Sequence, residues 1–236
     1  MARRTRPQVR RRMVGAGMVV AVLTGLAAAG WYGYAWLAVP MAGPSRTGEV
    51  DAASRKAKAE AERRLEKVVD VLPSAPRQLG AAAADHCLRN SPFEGEPPGP
   101  LSCQWRLERY VVFDGDLRTV GEEWGKALGN DRWIGSRAPF PSGYSSTSER
   151  YEYRDPQTHD RLIVTLVQDD GELRLLDDAT RFEFEGVEEY ERERRNFTGR
   201  KAAEHAVAEG RRVARVSLVR AYYSQNGRAP FEPSHW

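Results

Sequence analysis

Twenty-seven consecutive residues, Met13 to Val39, carry no charge, and they follow directly on six arginines, Arg3, Arg4, Arg6, Arg10, Arg11 and Arg12. A helix needs about 20 apolar residues to cross the hydrocarbon core of a bilayer, so a span from Val14 to Leu37 is long enough with a little tilt. Basic residues stay on the cytoplasmic side. Only the N-terminal flank carries them, which predicts an N-terminus inside and everything after Pro44 outside. Trp31, Tyr32, Tyr34 and Trp36 fall where an outer aromatic belt belongs. The competing reading is a cleaved signal peptide, with its apolar region from Val14 to Leu26 and cleavage at Ala27-Ala28-Ala29. Such a region usually runs roughly 7 to 15 residues, whereas here the apolar character continues through Leu37 and Val39, which favours an anchor. No cysteine follows Ala29 closely, so a lipid-modified N-terminal cysteine is excluded. Both readings export the same domain.

The predicted organisation is a basic cytoplasmic tail over residues 1–12, a transmembrane helix over 13–39, a linker and juxtamembrane amphipathic helix over 40–72, and an extracytoplasmic domain over 73–236. The lipid bilayer is then the first partner. Within the span Gly17, Ala21, Gly25, Ala29 and Gly33 recur every fourth residue, a stripe on which two helix backbones approach closely, so a homodimer or another protein is the second partner considered. An Ala- and Gly-rich span also produces such spacings by chance.

Charge excludes one broad class. The net charge of +3 and pI near 8.9 suggest a basic protein, but the six N-terminal arginines account for it. The remaining 30 basic residues face all 33 acidic ones. The exported part is mildly acidic, and nucleic acid is not an expected partner.

Beyond the linker, Val50, Ala53, Ala57, Ala61, Leu65, Val68 and Leu72 recur every three or four residues, with Ser45 or Thr47 as cap and Pro73 as stop, which predicts a helix. It reads equally as a stalk and as the first helix of the domain. Ala81 to Leu88 suggests a second short helix, Trp105 to Phe113 a strand closing at the Asp114-Gly115 turn, and Asp116 a cap for a helix with Leu117, Val120, Trp124 and Leu128 on one face and Gly129-Asn130 at its end. Residues 135–148 read as a loop. Strands are expected at Glu149–Arg154, Arg161–Gln168 and Glu172–Leu176, the last two joined as a hairpin by Asp169-Asp170-Gly171, with a further strand around Phe182 and Phe184. Glu188 with Arg192 and Glu191 with Arg195 have the spacing of an exposed helix. Thr198 is placed to cap a helix running through Glu209, and from Arg211 to Tyr223 helix and strand periodicities fit equally. The fold class is α+β: one transmembrane helix, then a domain whose antiparallel sheet of about four or five strands is covered on one face by helices.

Cys87 and Cys103 are the two cysteines of the chain, with fifteen residues between them, in a domain placed where disulfides persist, so they are expected to form a structural bridge tying a helix to the first strand. There is no C-x-x-C for redox catalysis, and His86, His159, His205 and His235 are too scattered for a zinc site. No G-x-S-x-G, H-E-x-x-H, phosphate-binding or dinucleotide-binding loop occurs, so no catalytic, cofactor or metal residue is assigned. Asp114 and Asp116 read as turn and cap rather than as acid and base, and Asp169-Asp170 and Asp177-Asp178 lack the ligand ladder of a calcium loop. Trp105, Trp124, Trp133, Tyr144, Tyr151 and Tyr153 either line a sugar- or peptide-binding face or pack in the core. The functional expectation is a membrane-anchored, non-catalytic interaction or sensing module of the cell envelope. The alternative is an envelope hydrolase, acting on wall glycan or peptide through carboxylates brought together only in space.

Overall fold

The chain divides into two units at Gly43 and Pro44. In the computed structural model, Ser45 and residues 47–74, 76–90, 99–139, 147–173 and 187–225 are described, all within the second unit. The span over 13–39, its small-residue stripe, and the strand around Phe182 and Phe184 lie outside them. Among the described residues no helix is long and apolar enough to cross a membrane.

Helix α1 (Gly48–Asp70) starts at Thr47, whose hydroxyl accepts the Val50 amide. Its buried stripe is Val50, Ser54, Ala57, Ala61, Leu65 and Val68, and it is buried from its first turn. It is therefore the first helix of the domain and not a free stalk. The expected apolar position Ala53 is only partly buried; Ser54 takes the inward place, because its hydroxyl has a buried carboxylate to bond.

Strands β1 (Arg77–Asn90) and β2 (Leu101–Phe113) form an antiparallel pair, followed by α2 (Leu117–Asn130), β3 (Ile134–Arg137), β4 (Ser148–Arg154), β5 (Arg161–Val167), a 3-10 turn (Asp170–Glu172), β6 (Val187–Arg195), α3 (Arg200–Ala208) and β7 (Arg212–Ser224). They build one seven-stranded antiparallel sheet in the order β3-β4-β5-β7-β2-β1-β6. The sheet thus has more strands than the four or five expected, and helices lie on both of its faces. The larger core joins α1 and α2 to Trp105, Leu107, Leu162, Val164, Val216 and Leu218 on one face. On the other, Ala203 and Ala206 of α3 pack with Tyr110, Val112, Val167 and Val213.

Several expectations are corrected by pairing between distant segments. Ala81–Leu88 is strand, not helix: alanine's helix propensity is at most a fraction of a kcal/mol per residue, whereas β1 is hydrogen-bonded on both sides, to β2 and to β6. Its small side chains Ala83 and Ala84 are both buried. Residues 187–195 are likewise strand, and their charges pair at short range along it, Arg194 with Glu191 and Arg195 with Glu193. Arg212–Ser224 resolves to strand, buried on both faces because it sits between β5 and β2. Both edges of β5 are taken by β4 and β7, which leaves no edge for the hairpin expected after it; Asp169 caps the 3-10 turn by accepting the Glu172 amide, and residues 174–176 of the expected strand lie outside the described residues. The segment expected as a loop from residue 135 opens with the edge strand β3. Helix α3 is capped by Gly199, without the side-chain bond expected of Thr198.

Helix α2 agrees with expectation: Asp116 accepts the Arg118 and Thr119 amides at 3.0 Å, and Leu117, Val120, Trp124 and Leu128 are buried. Gly115 at φ 111° makes the turn that precedes it. Its contact with the sheet depends on a glycine the pattern did not mark. A β-carbon on Gly121 would stand 2.3 Å from the ring of Tyr151, which is itself buried. Gly121→Ala is therefore expected to destabilise the domain by about 1–3 kcal/mol despite alanine's better helix propensity. Thermal unfolding should show a melting temperature several degrees lower, at about 2–4 °C per kcal/mol.

Candidate functional site

The most connected polar centre of the domain is Asp85, in the middle of β1 and fully buried. Alternation along the strand points it, with Ala83 and Cys87, toward α1. Its Oδ2 accepts from the Ser54 hydroxyl at 2.7 Å, lies 2.9 Å from Lys58 Nζ and accepts from Arg192 Nε at 3.3 Å; its Oδ1 accepts from the Tyr222 hydroxyl at 2.5 Å. Arg192, from β6, also bonds Asp51 and the carbonyl of Ser45, and Lys58 reaches Glu193 at 2.7 Å. Trp105 lies beneath, with Lys58 Nζ 4.6 Å from its ring centroid. Four elements, α1, β1, β6 and β7, converge on one carboxylate.

Burial works against the Asp85 charge, but hydrogen bonds from Tyr222, Lys58 and Ser54 outweigh it and hold the carboxyl below its ordinary range. Burial and the adjacent Asp85 push the Tyr222 phenol far up, so it remains a donor. Both carboxylate oxygens are engaged. A group held so firmly in its charged form is a poor proton carrier, and the cluster can fasten elements together rather than do acid–base work.

A second cluster ties the other end of α1. Arg64 pairs with Asp155 and, at 3.4 Å, with Asp160, and Arg220 bridges Asp160 at 3.1 Å and Glu60 at 2.8 Å. Burial raises Asp160, while the Arg64 bond and two backbone amides lower Asp155 in spite of burial. On the opposite face of the sheet, Glu108 accepts from the hydroxyls of Tyr110 at 2.6 Å and Ser217 at 3.3 Å, with Arg215 4.0 Å away. Burial brings the nearby Arg106 down to about 10, still charged at neutral pH. An open groove of about 540 Å³ lies between the 3-10 turn and α3; Asp169 there caps the turn, and Arg200 is paired with Glu204 at 2.8 Å.

Cys87 and Cys103 are disulfide-bonded, with Cα atoms 3.9 Å apart on directly opposed positions of β1 and β2. The bridge thus joins two strands, where a helix and a strand were expected, and both cysteines are fully buried beside Val50 and Leu101. The aromatic residues do not form a binding face: Trp105, Trp124, Trp133, Tyr151 and Tyr153 are all buried in the main core, and Tyr144 lies outside the described residues. Asp114 and Asp116 serve turn and cap. Among the described residues no group of three or more His, Cys, Asp or Glu side chains is placed to hold a metal ion. The Asp85 cluster was not legible beforehand, because its members come from residues 45 to 222 and share no local motif. Compared with known families, curated proteins and solved structures, the chain matches no family model, no protein and no structure.

Asp85→Asn keeps the shape but leaves Lys58 and Arg192 without their shared buried counter-charge, and is expected to cost about 3 kcal/mol in urea unfolding. Asp85, Asp155 and Glu193 all titrate below their ordinary values when folded. Their contribution is thus present above the unfolded carboxylate range and is lost as pH falls through the folded values, while the raised Asp160 works in the opposite sense. Stability should drop below about pH 4, less steeply in Asp85→Asn. Cys87→Ala with Cys103→Ala should lower stability by less than the roughly 3 kcal/mol of a flexible loop, because Pro92, Pro97, Pro98 and Pro100 already restrict the loop in the unfolded chain. Thermal unfolding of the double variant checks it; failure to fold would contradict it.

Proposed function

We propose that the chain is a single-pass membrane protein with its N-terminus in the cytoplasm, holding the folded domain outside as a non-catalytic interaction or sensing module of the cell envelope. The observation that carries this reading is the order of features: six arginines, 27 uncharged residues, and then a disulfide-bonded domain. A bilayer accounts for the first two. A buried Cys87–Cys103 bond fits an oxidising compartment. The non-catalytic part is supported by the use of the buried carboxylates Asp85, Asp155, Asp160 and Glu108, each bonded to residues of other segments that it holds in place. The stripe Gly17, Ala21, Gly25, Ala29 and Gly33 is where a second copy or a partner helix would pack.

The test uses the full chain with an epitope at each end. Protease added to intact cells should remove the C-terminal epitope and spare the N-terminal one. The protein should stay in the membrane pellet after alkaline extraction, and N-terminal sequencing should read Met1 or Ala2. A protected C-terminus overturns the topology. A mature chain beginning near Gly30 replaces the anchor with a secreted domain.

A further inference from the structure

The Cys87–Cys103 bond lies under the first turn of α1. Both cysteines and Val50 are fully buried and pack together with Leu101. The two halves of α1 are held differently. Its C-terminal half inserts Leu65, Val68 and, just beyond, Leu72 into the main core. Ahead of Ser54 the inward apolar residue is Val50, and this turn is also held by polar bonds that include Arg192 to Asp51 and to the Ser45 carbonyl, while behind it Ser54 and Lys58 bond the buried Asp85. Large apolar side chains in the main core leave the sheet only when the core itself opens, whereas few apolar contacts and partly exposed ion pairs mark segments that open alone. Asp51 is 42% exposed, so its pair with Arg192 is open to screening.

We propose that the first turn of α1 (Gly48–Asp51), ahead of the buried Ser54–Asp85 bond, forms a releasable strap over the disulfide, whose lifting admits a dithiol reductant while the sheet stays folded and that bond stays made. One thiolate of the dithiol attacks a cysteine sulfur, and the S–S bond breaks to leave the other cysteine as a thiolate, which takes a proton. The second thiol of the reductant, as its thiolate, attacks its own sulfur in the mixed disulfide and closes a cyclic disulfide, releasing the first cysteine, which is then protonated. The cysteine pair gains two electrons and two protons, and the dithiol loses the same. Strap opening thereby converts a structural bond into one whose redox state is set from outside the domain. This holds whichever compartment the domain occupies, so its failure leaves the membrane reading standing.

The probe is dithiothreitol acting on the full-length protein, with free thiols trapped by iodoacetamide and counted by mass. Reduction rates are followed through dilute urea beside global unfolding measured by circular dichroism. The expected urea dependence of reduction is less than half that of global unfolding, because the strap exposes little surface. Asp51→Asn, which removes an outer fastening without touching the core, should speed reduction about threefold or more. Gly121→Ala, on the other helix, should lower global stability and leave the reduction rate unchanged. Reduction with the full urea dependence of unfolding, a rate unmoved by Asp51→Asn, or equal acceleration by Gly121→Ala overturns the proposal.

Discussion

A charged carboxylate buried beneath a helix is tolerable only if every part of it is bonded, and Asp85 imposes that condition on much of the domain. Its partners come from α1, β6 and β7, and none is near it in sequence. The seating of α1 on the sheet, and of β6 beside β1, both answer to it. Ser54 and Lys58 present donors one turn apart on α1, and Arg192 stands opposite, bonding Asp85 on one side and the start of α1 on the other.

The same device recurs at the far end of the helix. Arg64 and Arg220 share Asp160, with Asp155 beside it, and fasten α1 to the turn between β4 and β5. Between the two clusters the inward residues of the helix are small, Ala57 and Ala61, both buried. Apolar burial at such alanines is slight compared with Leu or Trp, so the polar clusters carry more of the orientation than ion pairs usually do.

What could be read beforehand was local. The cap at Asp116, the turn at Gly115 and the face Leu117, Val120, Trp124, Leu128 depend on residues within fourteen positions of one another, and the structure has them as expected. The stripe of α1 was legible except at Ser54, whose inward position makes sense only with Asp85 opposite. Helix propensity at Ala81–Leu88 and i,i+4 charge spacing over 187–195 are both weak against ladders formed with segments far away in the chain, and both stretches are strand. Arg212–Ser224 stayed ambiguous because a strand buried on both faces loses the alternation that marks strands.

By itself, the amino-acid sequence determined the charge asymmetry of the N-terminus, the uncharged run behind it, the α+β class, helices α1 and α2, and the pairing of Cys87 with Cys103, since with two cysteines only one bridge within the chain exists. Only the tertiary structure decided that this bridge joins two strands beneath α1, that the aromatic residues are core, and that Asp85 gathers donors from residues 54, 58, 192 and 222. The reason is the range of the forces involved. Caps, turns and periodicity act within a few residues, whereas the cost of burying a charge is met by whichever donors the folded chain brings to it, at any separation along the sequence.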